Sequence, residues 1–122
     1  MIQAIGGNPL THTEKLLCCG KGCIDDEMPI DMTYEIFASM EEANVDCMGL
    51  ICPTCFNSFD MGQIIIARKK EREFNMPVIY YCQMLGLAQG LKPEEVGLHM
   101  HRIKIDKIME MISKPKKVKI AV

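Results

Sequence analysis

The sequence predicts an α/β fold, a Rossmann-like layered domain with a small, mainly parallel sheet flanked by helices. Two short apolar runs, Met48-Gly49-Leu50-Ile51 and Pro77-Val78-Ile79-Tyr80-Tyr81, each lead straight into a helical pattern, as buried parallel strands do. Strand candidates alternate with helical segments along the chain, the signature of βαβ units. The 122 residues, 48% apolar and 25% charged, suit a single globular domain that buries roughly 65% of the surface its unfolded chain exposes.

Taken in order, Met1 to Ile5 followed by Gly6-Gly7 reads as the last turn of a helix with its glycine cap. Nothing stands before it to start that helix, so the domain is expected to be truncated on its N-terminal side. Leu10 to Leu17 reads as an extended segment delivering Cys18-Cys19, with Gly20 and Gly22 forming a turn. An acidic loop, Asp25 to Pro29, precedes a helix expected to start near Asp31 or Thr33, with Tyr34, Phe37 and Met40 on its buried stripe. Cys52 falls where the Met48–Ile51 strand becomes a helix, and Pro53 suits the first helical position because its missing N–H costs nothing there. That helix is predicted to run towards Phe74, burying Phe56, Phe59, Ile66 and Phe74. After the second strand come a short helix from Cys82 to Gly90, a turn opened by Glu94-Glu95, and a last helix from His99 to Ile112. The cysteine-rich domain is thus expected over 1–112, with 113–122 as a basic tail of no assigned place.

The charge totals −2 but divides unevenly. Residues 1–59 hold 2 Lys+Arg against 9 Asp+Glu, a net −7, and residues 60–122 hold 12 against 7, a net +5. Solvated helix faces with a basic tail are the plain reading, and an oriented partner or anionic ligand the sharper one. Nucleic-acid binding is not indicated: the chain is mildly acidic, lacks Trp and does not interleave aromatics with basic residues. No segment approaches the roughly 20 apolar residues that span a bilayer. No signal peptide opens the chain, so its thiols are expected to be reduced and cytoplasmic.

Chemistry concentrates in two cysteine clusters, Cys18-Cys19-Gly20 and Cys52-Pro53-Thr54-Cys55, 32 positions apart from Gly20 to Cys52. Adjacent Cα atoms lie about 3.8 Å apart, below the usual disulfide range, so a Cys18-Cys19 bridge is strained. The pair also has a poor bite for two positions on one zinc, whereas adjacent thiolates can reach different metals of a polynuclear cluster. Cys52 at a helix N-terminus is biased towards thiolate. Cys23, Cys47 and Cys82 are read as small buried hydrophobes, with Cys23 the alternative spare ligand. The eleven methionines read as adaptable core filling. His12, shortly before the pair, has a ring suited to protonating a departing thiolate, but is not assigned that role. Tyr80, Tyr81 and Gln83 are candidates to line the site or to fill the core.

Cys-Cys-Gly, then helix and strand, then Cys-Pro-x-Cys, then Pro-Val-Ile-Tyr-Tyr-x-Gln-x-Leu-Gly-Leu-Ala-x-Gly-Leu, resembles the cysteine-rich "CCG" domain found in the B subunits of the methanogen heterodisulfide reductases. The resemblance runs from the Ile5-Gly6 turn to about His101 and is to the second, C-terminal of two tandem domains. It implies that Cys18, Cys19, Cys52 and Cys55 are metal ligands binding a noncubane 4Fe-4S cluster as cofactor, at which the disulfide of coenzyme M and coenzyme B is reduced. It implies as partners the other heterodisulfide reductase subunits, one iron-sulfur and one flavin-bearing, and the missing N-terminal part of the B subunit itself, with the isolated chain inactive. An upstream cysteine ligand has no counterpart here, and zinc is a possible substitute in the isolated chain. The histidines at 99 and 101 stand where the family often has one. Two alternatives stay open: an electron-transfer CCG module of a flavin-linked dehydrogenase oxidising glycolate, lactate, glycerol-3-phosphate or succinate, and a zinc-binding interaction domain. Catalytic residues remain unassigned.

Overall fold

The computed structural model describes residues 2–25, 27–113 and 118–121, without the side chains of Met111 and Ile112. Four short strands, β1 (Asn8–Leu10), β2 (Cys47–Leu50), β3 (Val78–Tyr80) and β4 (Lys119–Ala121), form a sheet in the order β1-β4-β2-β3. Every pairing is parallel, as the apolar runs predict.

Successive strand residues point to opposite faces, and each face is covered. Met48, Val78 and Ala121 meet Ile36, Phe37 and Met40 of helix α1 (Met28–Glu42) and Phe59 and Ile66 of helix α2 (Pro53–Lys70). Cys47, Ile79 and Ile120 meet Ile2 of an N-terminal 3-10 turn (Ile2–Ile5), Met84 of helix α3 (Tyr81–Ala88) and Ile108 of helix α4 (Asp106–Ile112). The result is a three-layer α/β sandwich with both sheet faces buried, which explains why β2 and β3 read as unbroken apolar runs.

Helices α1 and α2 lie close because α2 offers a glycine where they meet. A Cβ at Gly62 would stand 3.1 Å from Cγ2 of buried Thr33. Their rims carry ion pairs Lys69–Glu27, Lys70–Asp31 and Arg72–Glu41. Acidic α1 against the basic end of α2 thus accounts for part of the charge division, and each exposed pair contributes only about 0–1 kcal/mol.

Two buried polar side chains of α2 hold the chain that follows. Gln63 accepts from the Met76 N–H at 2.9 Å through Oε1 and donates through Nε2 to the Met76 carbonyl at 2.9 Å and the Phe59 carbonyl at 3.2 Å. Asp60 accepts from the backbone N–H groups of Arg102 at 2.9 Å and Ile103 at 3.1 Å. On α3, the N3 residue Gln83 reaches back to the Tyr80 N–H at 3.0 Å.

Several boundaries move from their sequence positions. The extended segment is only Asn8–Leu10; residues 13–16 turn, so the cysteine pair arrives on a loop. Helix α1 starts at Met28, ahead of Asp31, because Pro29 suits its first turn. Helix α2 ends at Lys70, where Glu71 takes φ 52°, and Phe74 is buried from the following loop. The predicted 99–112 helix is split into a 3-10 turn (Leu98–Met100) and α4, because Asp60 captures the N–H groups of residues 102 and 103. Gly6 and Gly90 take left-handed φ as caps.

The largest correction concerns 113–122. Residues 114–117 and 122 lie outside the described residues, but Lys119–Ala121 are an inner strand, pairing with both β1 and β2. Ile120 and Ala121 are buried on opposite faces. Asp46 fixes the register by accepting from the Lys119 N–H at 2.8 Å while its own N–H donates to the Lys119 carbonyl at 2.9 Å.

Replacing Gln63 by Ala leaves the Met76 N–H and carbonyl buried without partners, and the expected loss is about 3 kcal/mol in urea unfolding. Deleting residues 118–122 withdraws an inner strand and is expected to abolish the cooperative transition, whereas a dispensable tail would leave the midpoint unchanged.

Candidate functional site

Parallel strands release their connections at one edge, and this edge collects the thiols. The β1–α1 loop carries His12, Cys18, Cys19 and Cys23, the β2–α2 junction carries Cys52 and Cys55, and the start of α3 carries Cys82. Ligands in α/β sheets bind at such carboxyl edges.

The structure brings three of the four predicted ligand cysteines into direct relation. Cys55 Sγ lies 3.5 Å from Cys19 Sγ, across 36 positions of sequence. Cys52 is the N-cap of α2 with extended φ/ψ, exposed, and Cys55 is the N3 residue of the same turn. Cys18 is exposed beside Cys19, which is only 5% accessible. Gly20, at φ 72°, makes this possible: a Cβ there would come within 2.8 Å of Met32 Sδ and 3.0 Å of Pro29 Cα.

The three thiols differ in charge preference. The backbone N–H of Cys55, then its side chain and the Thr54 N–H, hold the Cys52 thiol below its ordinary pKa. No strict side-chain hydrogen bond caps the helix, so the effect is the pull of its first amides on sulfur. Burial raises the Cys19 thiol, but the Lys21 backbone N–H and the Cys55, Ser58 and Cys18 side chains outweigh it, and Cys19 also ends below its ordinary value. Burial, with Cys19 and Cys52 alongside, pushes Cys55 up to about 12. The metal-free arrangement is therefore a protonated Cys55 between two thiolate-prone neighbours, its S–H donating to Cys19.

Among the described residues, no three His, Cys, Asp or Glu side chains close into a coordination sphere around one ion. The donor set is nonetheless soft, anionic and converging from two loops. It fits a group larger than a single ion, with separate metals for separate thiolates, better than a tetrahedral zinc.

His12 lies against this site. It is buried and, with Lys15, Leu17, Leu50, Cys52 and Cys55, lines a cleft of about 260 Å³. The Ser39 hydroxyl donates to the Ile36 carbonyl at 2.9 Å, so its oxygen accepts from His12 Nδ1–H at 2.7 Å. The lone pair of the neutral ring is thereby placed on Nε2. Burial holds the His12 pKa below its usual value, which keeps the ring neutral at pH 7.

The remaining candidates separate clearly. Cys47 is the buried hydrophobe expected, its thiol pushed up to about 12 by desolvation and Asp46. Cys23 and Cys82 are exposed instead: one sits in the open loop after Gly22, the other in the first turn of α3 at the sheet edge. Tyr80 stacks on Phe56 with ring centroids 4.5 Å apart, and burial plus the neighbouring Cys52 and Cys82 raise its phenol pKa. Gln83 serves as a clamp, donating to the Val96 carbonyl at 2.8 Å and to His101 Nε2 at 3.0 Å, while His99 is exposed. Tyr81 lines a separate apolar cleft with Ile51 and Met84. Ser58, whose Oγ is buried without a hydrogen-bond partner, carried no sequence signal beyond its place three residues after Cys55.

No protein-family model matches the chain. It is 33% identical over 107 residues to the B subunit of the ferredoxin/F(420)H(2)-dependent CoB-CoM heterodisulfide reductase of Methanosarcina acetivorans, covering 84% of this chain and 36% of that protein. It is 31% identical over 109 residues to the B subunit of the ferredoxin:CoB-CoM heterodisulfide reductase of Methanosarcina mazei, with the same coverages. To the 8-methylmenaquinol:fumarate reductase membrane anchor subunit of Wolinella succinogenes it is 28% identical over 113 residues, covering 88% of this chain and 39% of that one. The chain thus spans little more than a third of these relatives' length. No described helix is long and apolar enough to cross a membrane.

Cys52 should react with iodoacetamide faster at pH 7 than a cysteine in an unstructured peptide, because its lowered pKa leaves more thiolate at that pH. The advantage should vanish as pH rises past the ordinary thiol value, where the peptide is fully ionised too. Cys47 should stay unmodified in the native state throughout. Equal Cys52 and peptide rates at pH 7, read by mass spectrometry, would count against the helix-terminus effect.

Proposed function

This chain belongs to the family of heterodisulfide reductase B subunits, two of which match it over 84% of its length, and we propose that it is a cluster-binding segment of an iron-sulfur redox protein. Cys18, Cys19, Cys52 and Cys55 hold a noncubane 4Fe-4S cluster. The substrate is the CoM-S-S-CoB disulfide, which takes up two electrons and two protons to give two thiols. The observation that carries the proposal is the meeting of two βα loops at one sheet edge, with Cys55 Sγ 3.5 Å from Cys19 Sγ.

When bound, the cluster supplies electrons one at a time and an affinity for substrate sulfur. The chain's own residues do the rest. Cys19 and Cys52, both held below the ordinary thiol pKa, give up their protons to a metal more readily than Cys55, which releases its own on ligation. The cleft beside them is walled by Leu17, Leu50 and Ile51, which exclude water from a bound disulfide, and Lys15 stands at its rim for an anionic substrate group. The pinned His12 ring presents Nε2 as a proton acceptor, and on protonation as a donor to a departing sulfur.

As a heterodisulfide reductase segment the chain works with the remainder of its B subunit, in a complex with iron-sulfur and flavin partner subunits. A second reading draws on the relationship to the fumarate reductase membrane anchor: the same thiol site passes electrons between a flavin-linked dehydrogenase and an acceptor without binding a disulfide.

The chain prepared anaerobically with iron and sulfide should contain both in near-equal amounts and little zinc. Cys19→Ser and Cys52→Ser should each lose most of the iron. Zinc without sulfide would sink both redox readings. In the assembled complex, CoM-S-S-CoB should perturb the paramagnetic signal of the oxidised cluster, and an unaltered signal would favour the electron-transfer reading.

A further inference from the structure

Away from the thiols, a second group of side chains has its protonation fixed by hydrogen-bond geometry. The Gln83 side chain accepts from the Tyr80 N–H at 3.0 Å through Oε1, and through Nε2 it donates to the Val96 carbonyl at 2.8 Å. Turning the amide over would set N–H against N–H at Tyr80 and oxygen against oxygen at Val96, so these two backbone groups fix its orientation. The second proton of Gln83 Nε2 is therefore directed at His101 Nε2, 3.0 Å away, and that ring nitrogen must be bare. The ring proton then sits on Nδ1, which is buried and has no hydrogen-bond partner. His101 also closes the 3-10 turn Leu98–Met100 and precedes the two residues whose N–H groups Asp60 holds. Its ring lies T-shaped against Phe56, with centroids 4.9 Å apart.

We propose that His101 is a proton-operated latch: neutral, it accepts from Gln83 and holds residues 96–103 against α3 and Phe56, and on taking a proton from solvent it lets them go. Protonation sets a ring N–H against the N–H of Gln83, whose amide cannot turn to offer oxygen instead. The charged and titratable groups around the ring come from several elements. They are the Asp60 carboxylate on α2, the Tyr80 phenol at the end of β3, stacked on the same Phe56, and Glu94, His99, Lys104 and Asp106, which line a cleft with His101. Burial outweighs the pull of the Asp60 carboxylate and the Val78 carbonyl, and holds the His101 pKa below the ordinary histidine value. The open segment thus binds a proton more readily than the closed one. The latch contributes fully above the ordinary histidine value, and its contribution is lost as pH falls from there through the lower folded one. Because Phe56 directly follows Cys55, release also removes a contact from the first turn of α2, whatever the thiols hold.

The test is NMR on the full chain beside His101→Gln, because glutamine offers an accepting oxygen near the place of Nε2 and does not titrate. At pH 7 the ring nitrogen shifts of the parent should show His101 Nδ1 protonated and Nε2 bare, and the ring should titrate below the ordinary histidine value. Met76, whose N–H is held by Gln63, serves as the reference for amide exchange. Between pH 7 and pH 5, protection of the Arg102 and Ile103 amides should fall in the parent roughly threefold or more relative to that of Met76, as the loss of one hydrogen bond implies. In His101→Gln that ratio should hold. A bare Nδ1 at pH 7, a titration at or above the ordinary value, or an equal fall in both proteins overturns the proposal. If His101→Gln does not fold, the shifts and titration of the parent alone decide it.

Discussion

Parallel pairing is the constraint on which the rest of this structure depends. When every strand runs the same way, every connection leaving a strand's carboxyl end emerges on one edge, and residues remote in sequence become neighbours. Cys19 and Cys55 meet across the sheet edge for this reason. The sheet is small, with strands of three or four residues, and its ladders alone would be marginal. It is held by a covered layer on each face and by the buried side chains of Gln63 and Asp60, which tie α2 to the segments before β3 and α4.

Much of this was legible in the residues. Cys52 at a strand-to-helix junction, Pro53 at the first helical position and the apolar runs of β2 and β3 state their structure locally, and the structure has them there. The elements that were not legible are those fixed from far away. Lys119–Ala121 is a strand because β1 and β2 flank it and Asp46 clamps its backbone, information that three residues after a lysine-rich stretch do not contain. The break near residue 102 has its cause in Asp60, over forty positions earlier. Phe74 fits the helical period of α2 and is buried, yet the helix has already ended at Glu71.

The candidate site divides in the same way. Spacing alone singled out Cys18, Cys19, Cys52 and Cys55. The thiolate bias of Cys52 was legible too, because it comes from the amides of its own helix turn; the opposite shifts of Cys19 and Cys55 were not, because they come from tertiary surroundings: several donors around Cys19, and burial with two thiol neighbours for Cys55. Exposure of Cys23 and Cys82 was misjudged because free cysteine is buried on average, whereas these two lie on the edge where loops end and helices begin.

The partnering of residues 8–10 with residues 119–121 ties the thiol loop to the order in which the chain is made. The strand that launches Cys18 and Cys19 finds its ladder only after more than a hundred further residues have been synthesised, a long-range closure of the kind that slows folding. Helices α1 and α2, with β2 and β3, are complete much earlier and carry Cys52 and Cys55 with them. Two of the four clustered thiols are thus in place while the other two wait on an unpaired segment. A cell making this protein must keep two reactive thiols reduced through that interval.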